Sequence, residues 1–578
     1  MPGGLLNIVA YGNQNVILTG NPSKTFFKCA YAKYTNFGLQ KFRIDFDGQR
    51  NLRLNESSTF TFKVPRYADL LMDTYLSVNL PTIWSPVLPP SDCSGQWRPY
   101  EFKWIDNLGT QMIKEINFRV GGQLIQKFTG QYLYNLVERD FSDSKKKLYY
   151  EMTGNTSEFN DPANYGGRNG YYPNAWMPPN PTTEGVEPSI RGKTIYIPIN
   201  IWFTLASQMA FPLVSLQYNL LEIEVIMRPV RELFLVRDVL SCNCDYNDAP
   251  YIQANQNISE YQFYRFIQQP PNSIIRNDSY IDKRSSWNAN IHLISTYAFL
   301  TDDEIKVFAS KEQKYLIKEI YEYRYDNVTG THKVELDSLG LIANWMWFFQ
   351  RDDVNLRNGW SNYTNWEYKD FPQPLVWAEP SGYETTDLSC TAIDCSNCFD
   401  IGPQSSSIVN GIFGPGTQPG GLLGGSNIKI TGNYSFKNQK QIMQTFGILL
   451  DGKYRENMLP AGIYNQIEKY IRTSGNSSEE LNFYNFGLQS DPFDFQPSGA
   501  INLSKFKNIQ FEFTTFMPPF DPSANFVPIC PDNIVGEDAT TYTPIWTVYN
   551  YNYNLFVYEE RYNVLTFTSG NAALMYAR

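Results

Sequence analysis

Histidine is the side chain that most often moves protons in catalysis near neutral pH, and this chain contains only two, His292 and His332. The first lies in a predicted strand and the second beside a predicted turn, and no nucleophile motif accompanies either. Two histidines leave little material for a Ser-His-Asp site, a Cys-His site or a three-histidine metal centre. None of the 58 acidic residues is marked by its neighbours as half of a catalytic pair. We therefore expect structural roles for both histidines and no enzymatic activity.

The eight cysteines are the next residues with chemistry of their own, and they are too sparse for a disulfide scaffold. Cys242 and Cys244 share one polar connector, whereas Cys390, Cys395 and Cys398 share another. A structural zinc ion or disulfides formed late are open alternatives, the zinc hypothesis resting on the group of three. Neither C-x-C nor C-x₄-C-x₂-C is a standard zinc spacing, so unlinked thiols in loops are the favoured interpretation.

Two glycine-containing segments could be mistaken for phosphate-binding loops. Gly192-Lys193-Thr194 resembles the end of such a loop, but the motif requires a glycine where Glu187 stands, and no strand precedes it. The glycine-rich run 414–425 does not have G-x-G-x-x-G spacing, and its prolines would spoil a strand-to-helix turn. We expect a flexible loop there and no cofactor anywhere in the chain.

Composition and charge exclude several classes of protein. Aromatic residues make up 16% of the 578 residues and charged residues only 18%, which favours strands and turns over helices. The net charge of −10 would repel a phosphate backbone, so direct binding of nucleic acid is not expected. Residues 1–10 have no basic region typical of a signal peptide, and no apolar run reaches the roughly 18 residues of a membrane span. We expect a soluble protein made in the cytosol.

Short runs of alternating apolar and polar residues recur from end to end, which predicts half-buried strands. Helical signals are few, the clearest being Thr129 to Phe141 and Asp302 to Ala309, with Thr301 and Asp302 as possible N-caps. The fold class is therefore all-β, with sandwiches or closed barrels such as jelly rolls. The predicted strands include residues 42–46, 60–64, 76–80, 195–199, 221–227, 287–293, 344–349, 427–430 and 510–514.

The length predicts at least two domains, and a polar segment rich in Asn, Asp and Pro suggests where they divide. We predict an N-terminal arm at 1–24, a first domain at 25–230, a linker at 231–259 and a second domain at 260–578. Two stretches without periodicity, 142–192 and 352–426, are predicted to be long surface loops, one inserted in each domain.

Several segments, spread in order over most of the chain, resemble the major capsid proteins of the nucleocytoplasmic large DNA viruses, which include algal, amoebal and irido-type viruses. They are the opening run Gly3 to Lys28, Pro198 to Gln217, Tyr297 to Ala309 with Tyr315 to Ile317, Trp347 to Asp352, and Gln496 to Gly499 with Asn502 to Ser504. The second segment resembles the one that finishes the first barrel, and the third resembles the helix-bearing segment of the second. Two departures are Lys505, where the family commonly has Arg, and the long 352–426 insertion.

The resemblance implies two tandem eight-stranded jelly-roll barrels, with short helices and long loop insertions. It further implies a homotrimer of pseudo-hexagonal outline, whose neighbours are other capsomers, minor capsid proteins and an inner membrane layer. Such capsomers form the icosahedral capsid of a virion assembled in the host cytoplasm. We expect aromatic-rich barrel flanks to bury the trimer contact and both insertions to face outward.

Two other interpretations stay open. A minor capsid or vertex protein could use the same fold, and would be scarce in purified particles. A carbohydrate-binding β protein or carbohydrate-active enzyme would also be rich in aromatic residues, but it predicts a secretion signal, which residues 1–10 do not resemble.

Overall fold

Sixteen principal strands in a computed structural model build two similar units. The structure describes residues 2–48, 51–88, 98–176, 186–238, 251–271, 280–366, 439–494, 496–518 and 551–576, and short strands at 377–378, 430–431, 527–528 and 541–542. The first eight strands are β1 (Gly38–Ile44), β2 (Ser58–Lys63), β3 (Leu70–Asn79), β4 (Ile113–Val120), β5 (Gln123–Phe128), β6 (Thr194–Pro198), β7 (Leu221–Met227) and β8 (His292–Phe299). The second eight are β9 (Gln313–Tyr325), β10 (Thr331–Glu335), β11 (Leu341–Arg351), β12 (Met443–Leu450), β13 (Lys453–Pro460), β14 (Asn482–Asn485), β15 (Ile509–Thr515) and β16 (Tyr553–Thr568).

The two units have the same strand order. In the first, β1, β8, β3 and β6 form one antiparallel sheet and β2, β7, β4 and β5 form the other. In the second, β9, β16, β11 and β14 form one sheet and β10, β15, β12 and β13 form the other. Each strand of the second unit thus occupies the place of the strand eight positions earlier. This order is that of a jelly roll, and the predicted double jelly roll is confirmed.

The predicted boundary between the domains was wrong. Strand β8 lies beyond the predicted linker 231–259, yet it pairs with β1 and β3 and completes the first jelly roll. The segment that follows β7 instead contributes Phe234–Arg237 and Tyr251–Ile252 to a small sheet beside Phe102–Trp104. The first jelly roll therefore extends to Phe299, and the connection to the second is 300–312.

Each jelly roll has its own apolar interior. The interior of the second is rich in aromatic side chains: Trp347 stacks on Phe446 with 4.2 Å between ring centroids, and Trp345 meets Phe511 edge to face at 4.9 Å. The apolar cluster of the first does not stop at its own sheets. It continues onto the outer face of the second jelly roll, where Met346 and Tyr558 are fully buried. The two units are thus packed together through an apolar surface.

Both predicted helices are confirmed. They are α4 (Gly130–Asp140), capped by the Thr129 hydroxyl, which accepts from the Tyr132 N–H, and α8 (Asp302–Ser310), which has no side-chain cap at Thr301. The 142–192 segment is not the structureless loop predicted, because α5 (Asp143–Thr153) turns Lys146 and Tyr149 into the protein. The other short helices are α1 (Gly3–Val9), α2 (Val16–Thr19), α3 (Leu108–Met112), α6 (Ser157–Asn160), α7 (Trp202–Leu205) and α9 (Glu468–Arg472), the last preceded by a π turn at Ile463–Ile467.

The long connections lie at one end of both jelly rolls. Because successive strands run in opposite directions, connections after odd-numbered strands lie at one end, which we call the insertion end, and those after even-numbered strands at the other, the plain end. The predicted insertions 142–192 and 352–426 follow β5 and β11, so both belong to the insertion end; 367–376, 379–429 and 177–185 lie outside the described residues. Hydrogen bonds from Asn358 and Trp360 to the carbonyls of Arg231 and Glu232 join the two jelly rolls there.

Candidate assembly surfaces

The residues singled out for chemistry are dispersed. His292 begins β8 and its Nδ1 lies 2.6 Å from the carbonyl oxygen of Asn290, while His332 in β10 lies 2.9 Å from that of Thr329. Burial lowers the pKa of His292. Among the described residues, no group of three or more His, Cys, Asp or Glu side chains is placed to hold a metal ion. Cys29 is exposed, whereas Cys242, Cys244, Cys390, Cys395 and Cys398 lie outside the described residues.

The Gly192-Lys193-Thr194 segment enters a strand, not a helix. Thr194 is the first residue of β6, and the Gly192 N–H donates to the Thr82 hydroxyl at 3.1 Å. A phosphate loop places its backbone N–H groups at the N-terminus of a helix, and no helix begins directly after this segment.

In the described part of the chain, no helix is long and apolar enough to cross a membrane.

The junction between the jelly rolls is built on α4. Every residue of this helix is buried, and it lies against the outer face of the sheet β9, β16, β11 and β14. Tyr132 donates to Glu560 at 2.9 Å, and the Thr129 and Tyr558 hydroxyls are 3.0 Å apart. Nearby, the side chain of Gln126 donates to the Lys318 carbonyl at 3.0 Å. The contact is therefore apolar at its centre, with hydrogen bonds that fix its register.

A buried ionic network lies at the end of α4. The Arg139 guanidinium donates to Asp140 at 2.7 Å, to Glu560 at 2.9 Å and to the Asn344 side-chain oxygen at 3.2 Å. All three charged side chains are at most 2% exposed. Asn344 also donates to Glu560 at 2.9 Å, and Ser490 donates to Asp140 at 2.6 Å. Removal of one member would leave a charged side chain buried without its partner.

The pKa values of the two acids diverge because they share one cation. Burial by itself would raise the pKa of Glu560, but the Arg139 guanidinium, helped by Lys318 and by hydrogen bonds from Asn344 and Tyr132, lowers it to about 2. Burial raises the pKa of Asp140 despite the same guanidinium, and Glu560 adds repulsion. Sequence patterns did not mark this network; the one signal available was a charged pair, Arg139-Asp140, inside a predicted helix.

Among the residues that the structure describes, no jelly roll covers the corresponding sheet of the first jelly roll. On the outer face of β1, β8, β3 and β6, Leu39 is 53% exposed and Tyr196 is 40% exposed. On the matching face of the second jelly roll, Met346, Phe348 and Phe483 are fully buried. Two sheets of the same topology thus differ in whether a neighbouring jelly roll covers them.

The plain end carries the N-terminal arm. No residue from 2 to 37 is buried, although the segment includes apolar side chains such as Leu6, Ile17, Leu18 and Phe27. The arm leads into the start of β1, which lies at the plain end, and Thr35 donates to Glu304 of α8 there at 3.2 Å. A segment whose apolar side chains stay exposed to solvent among the described residues is typical of an interaction site.

Most described aromatic side chains are buried in the two interiors or at the junction, so the flanks are less aromatic than the sequence suggested. The exposed aromatic residues of the flanks are few, among them Tyr196 on β6, Tyr454 on β13 and Tyr470 on α9.

Two of the segments that resemble the capsid protein family lie elsewhere in the fold than expected. Pro198 to Gln217 connects β6 to β7 and does not finish the first jelly roll, and Tyr297 to Ala309 ends it and joins it to the second.

Comparison with known proteins agrees with this architecture. Residues 25–268 match the family model described as "Major capsid protein N-terminus". The chain is 24% identical to the major capsid protein of Chrysochromulina ericina virus over all of both chains, and 24% identical to that of Phaeocystis pouchetii virus over 88% of this chain and 92% of the relative. The solved Faustovirus major capsid protein has a TM-score of 0.58 over 98% of this chain and 96% of its own, at 13% identity. The resemblance seen in the sequence is confirmed.

Proposed function

We propose that this chain, which shares its fold and much of its sequence pattern with the major capsid proteins of the nucleocytoplasmic large DNA viruses, forms the shell of such a virus. The observation that carries the proposal is the pair of jelly rolls with identical strand order, packed side by side with their ends aligned. Its role is structural, without catalysis. The relatives named above are themselves capsid proteins.

The unit of assembly in this proposal is a homotrimer of pseudo-hexagonal outline. Six jelly rolls from three chains approximate a six-membered ring, because the two in each chain have the same topology. Cyclic closure of identical contacts is the usual way in which oligomers avoid open-ended growth. Trimers then tile an icosahedral capsid by contacts with neighbouring capsomers, in a virion assembled in the host cytoplasm.

The two ends of the molecule suit opposite sides of a shell. The insertion end, with 142–192 and 352–426, faces outward in this proposal. The plain end then faces inward, and the apolar arm 1–24 reaches beneath a neighbouring capsomer, a minor capsid protein or the inner membrane layer. The net charge of −10 supports a shell protein that does not itself bind the genome.

The experiment is the native mass of the purified protein by light scattering, with negative-stain imaging. Particles of three chains with a pseudo-hexagonal outline are expected, and a stable monomer would contradict the trimer and favour the carbohydrate-binding alternative. The minor capsid or vertex alternative is separated by abundance: the major protein dominates a gel of purified virions, whereas a vertex protein is scarce.

A further inference from the structure

The second jelly roll repeats the helical contact surface of the first, but none of the described residues covers it. In the first jelly roll, the connection between β5 and β6 carries α4, which holds the second jelly roll. The matching connection, between β13 and β14, carries the π turn and α9. There Ile467, Tyr470 and Ile471 are 47%, 91% and 58% exposed. Their spacing of three and four residues puts them on one helical face, as in a helix that packs against another surface.

The first jelly roll offers a surface that matches the one α4 covers. In the second jelly roll, α4 meets a polar pair across two strands: Asn344, the fourth residue of β11, donates to Glu560 of β16 at 2.9 Å. In the first, Asp73 is the fourth residue of β3, and Thr296 of β8 donates to it at 2.9 Å. Each sheet thus presents one hydrogen-bonded carboxylate on its central pair of strands, Glu560 on β16 in one and Asp73 on β3 in the other. Glu560 is buried under Arg139, whereas the Asp73 side chain is 32% exposed.

The helices also end alike. Arg139 is the penultimate residue of α4, and Arg472 is the last residue of α9. Arg139 reaches Glu560, the carboxylate of the covered sheet, with a charge-assisted hydrogen bond of 2.9 Å, which belongs to the strong class of hydrogen bonds. An arginine at the same end of α9 is therefore placed to do the same on a sheet that approaches α9 as the second jelly roll approaches α4.

We infer that α9 of one chain packs on the outer face of the sheet β1, β8, β3 and β6 of a second copy, with Arg472 over Asp73. The inference rests on the proposed trimer, because this is the contact that closes three chains into a ring of six jelly rolls. The ring then has six contacts between neighbouring jelly rolls. Three of them are α4 contacts within a chain, and the other three are α9 contacts between chains.

A cavity beside α9 agrees with a missing neighbour. It has a volume of about 360 Å³ and is lined by Glu468, Arg472, Asn485 and the 72% exposed Leu488. Within the described residues, Oε2 of Glu468 and Nδ2 of Asn485 are buried without a hydrogen-bond partner. Buried polar atoms are normally paired, so a second chain or water trapped beneath it completes the site.

The test is the trimer dissociation constant of single-residue variants, measured by light scattering over a dilution series. Tyr470→Asp places a charge in the proposed contact without disturbing the fold, because the side chain is 91% exposed. Loss of a central aromatic anchor should weaken association about 30-fold or more. Tyr171→Asp, at a tyrosine that is 80% exposed in the insertion, is the matched control and should leave the constant unchanged.

A charge exchange tests the pairing itself. Arg472→Asp and Asp73→Arg should each weaken the trimer about tenfold or more, and the double variant should recover most of that loss because each contact regains opposite charges. A wild-type trimer that Tyr470→Asp weakens no more than Tyr171→Asp would overturn this contact and leave the proposed trimer standing. A wild-type monomer would overturn both. Failure of the double variant to recover would refute the pairing of Arg472 with Asp73.

Discussion

Replacement of Arg139 should loosen the junction between the jelly rolls far more than replacement of an exposed arginine. Arg139→Met keeps the length of the side chain but leaves Asp140 and Glu560 buried without their cation. The pKa of Glu560 lies at about 2, against an ordinary value of 4.5. At about 1.4 kcal/mol per pKa unit, that difference corresponds to about 3 kcal/mol of stability at pH 7. Removal of one partner of a buried ion pair costs a similar amount, about 3–5 kcal/mol.

The pH dependence follows from the direction of the shift. A carboxyl group with a lowered pKa stabilises the folded state above its ordinary pKa, and this contribution is lost as the pH falls from 4.5 towards 2. The wild-type protein and the variant should therefore differ by about 3 kcal/mol at pH 7 and by progressively less below pH 4.5.

The assay is urea unfolding followed by tryptophan fluorescence, because Trp345 and Trp347 lie in the interior of the second jelly roll. Arg284→Met is the matched control: that side chain is 81% exposed in its 2.7 Å pair with Asp282, and its loss should leave the stability nearly unchanged because solvent screens the pair. A second variant, Arg139→Met with Glu560→Gln, should recover part of the loss because it removes one stranded charge. Equal losses for Arg139→Met and Arg284→Met would refute the role given to the network.

Three further expectations follow from other parts of the molecule. Deletion of residues 1–24 should leave the native mass of the trimer unchanged but impair lattice assembly seen by electron microscopy; trimers that dissociate would contradict the role given to the arm. Protease treatment of intact particles should cleave within 142–192 and 352–426 before the plain end, and protection of both would contradict their outward position. Burial raises the pKa of Glu480 from 4.5 to about 7. Between pH 4.5 and 7 this carboxyl group therefore keeps its proton in the folded state and loses it in the unfolded state, so the stability of the fold decreases as the pH rises through this range. Glu480→Gln should make the melting temperature less dependent on pH between 4.5 and 7. A melting temperature that depends on pH as steeply as in the wild-type protein would contradict this assignment.

The strands were predictable where one face of a sheet is buried. Alternation of Phe60 and Phe62 with polar residues matches β2, and that of Ile223 and Val225 with glutamates matches β7, because these sheets have one apolar side. Alternation does not reveal which strands pair. Strand β8 alternates as the others do, but its partner β1 lies some 250 residues earlier in the chain, so the boundary between the jelly rolls was misplaced.

The buried network and α5 were missed for a related reason. Lys146 faces inward on α5 because it donates to the carbonyl oxygen of Glu138 at 2.7 Å and to Asn476. Both partners lie outside α5, so the sequence of this helix does not indicate them. Three consecutive lysines, 145–147, favour a solvated segment when read alone. Polar side chains that are buried by pairing carry no periodic signal, so their sites emerge only from the packed structure.

The equivalent strands β3 and β11 differ in a way that bears on assembly. Strand β11 is apolar on both faces: Trp345 and Trp347 point into the second jelly roll, while Met346 and Phe348 meet the first. Strand β3 buries Leu76 and Val78 in the interior, but Asp73 and Tyr75 on its other face are half-buried. A face that is covered permanently within one chain can be mostly apolar, since it never meets water after folding, and its polar pair Asn344–Glu560 is satisfied by Arg139 of the same chain. A face that must stay in solution until another copy arrives needs polar groups such as Asp73, and these same groups then select the partner by charge.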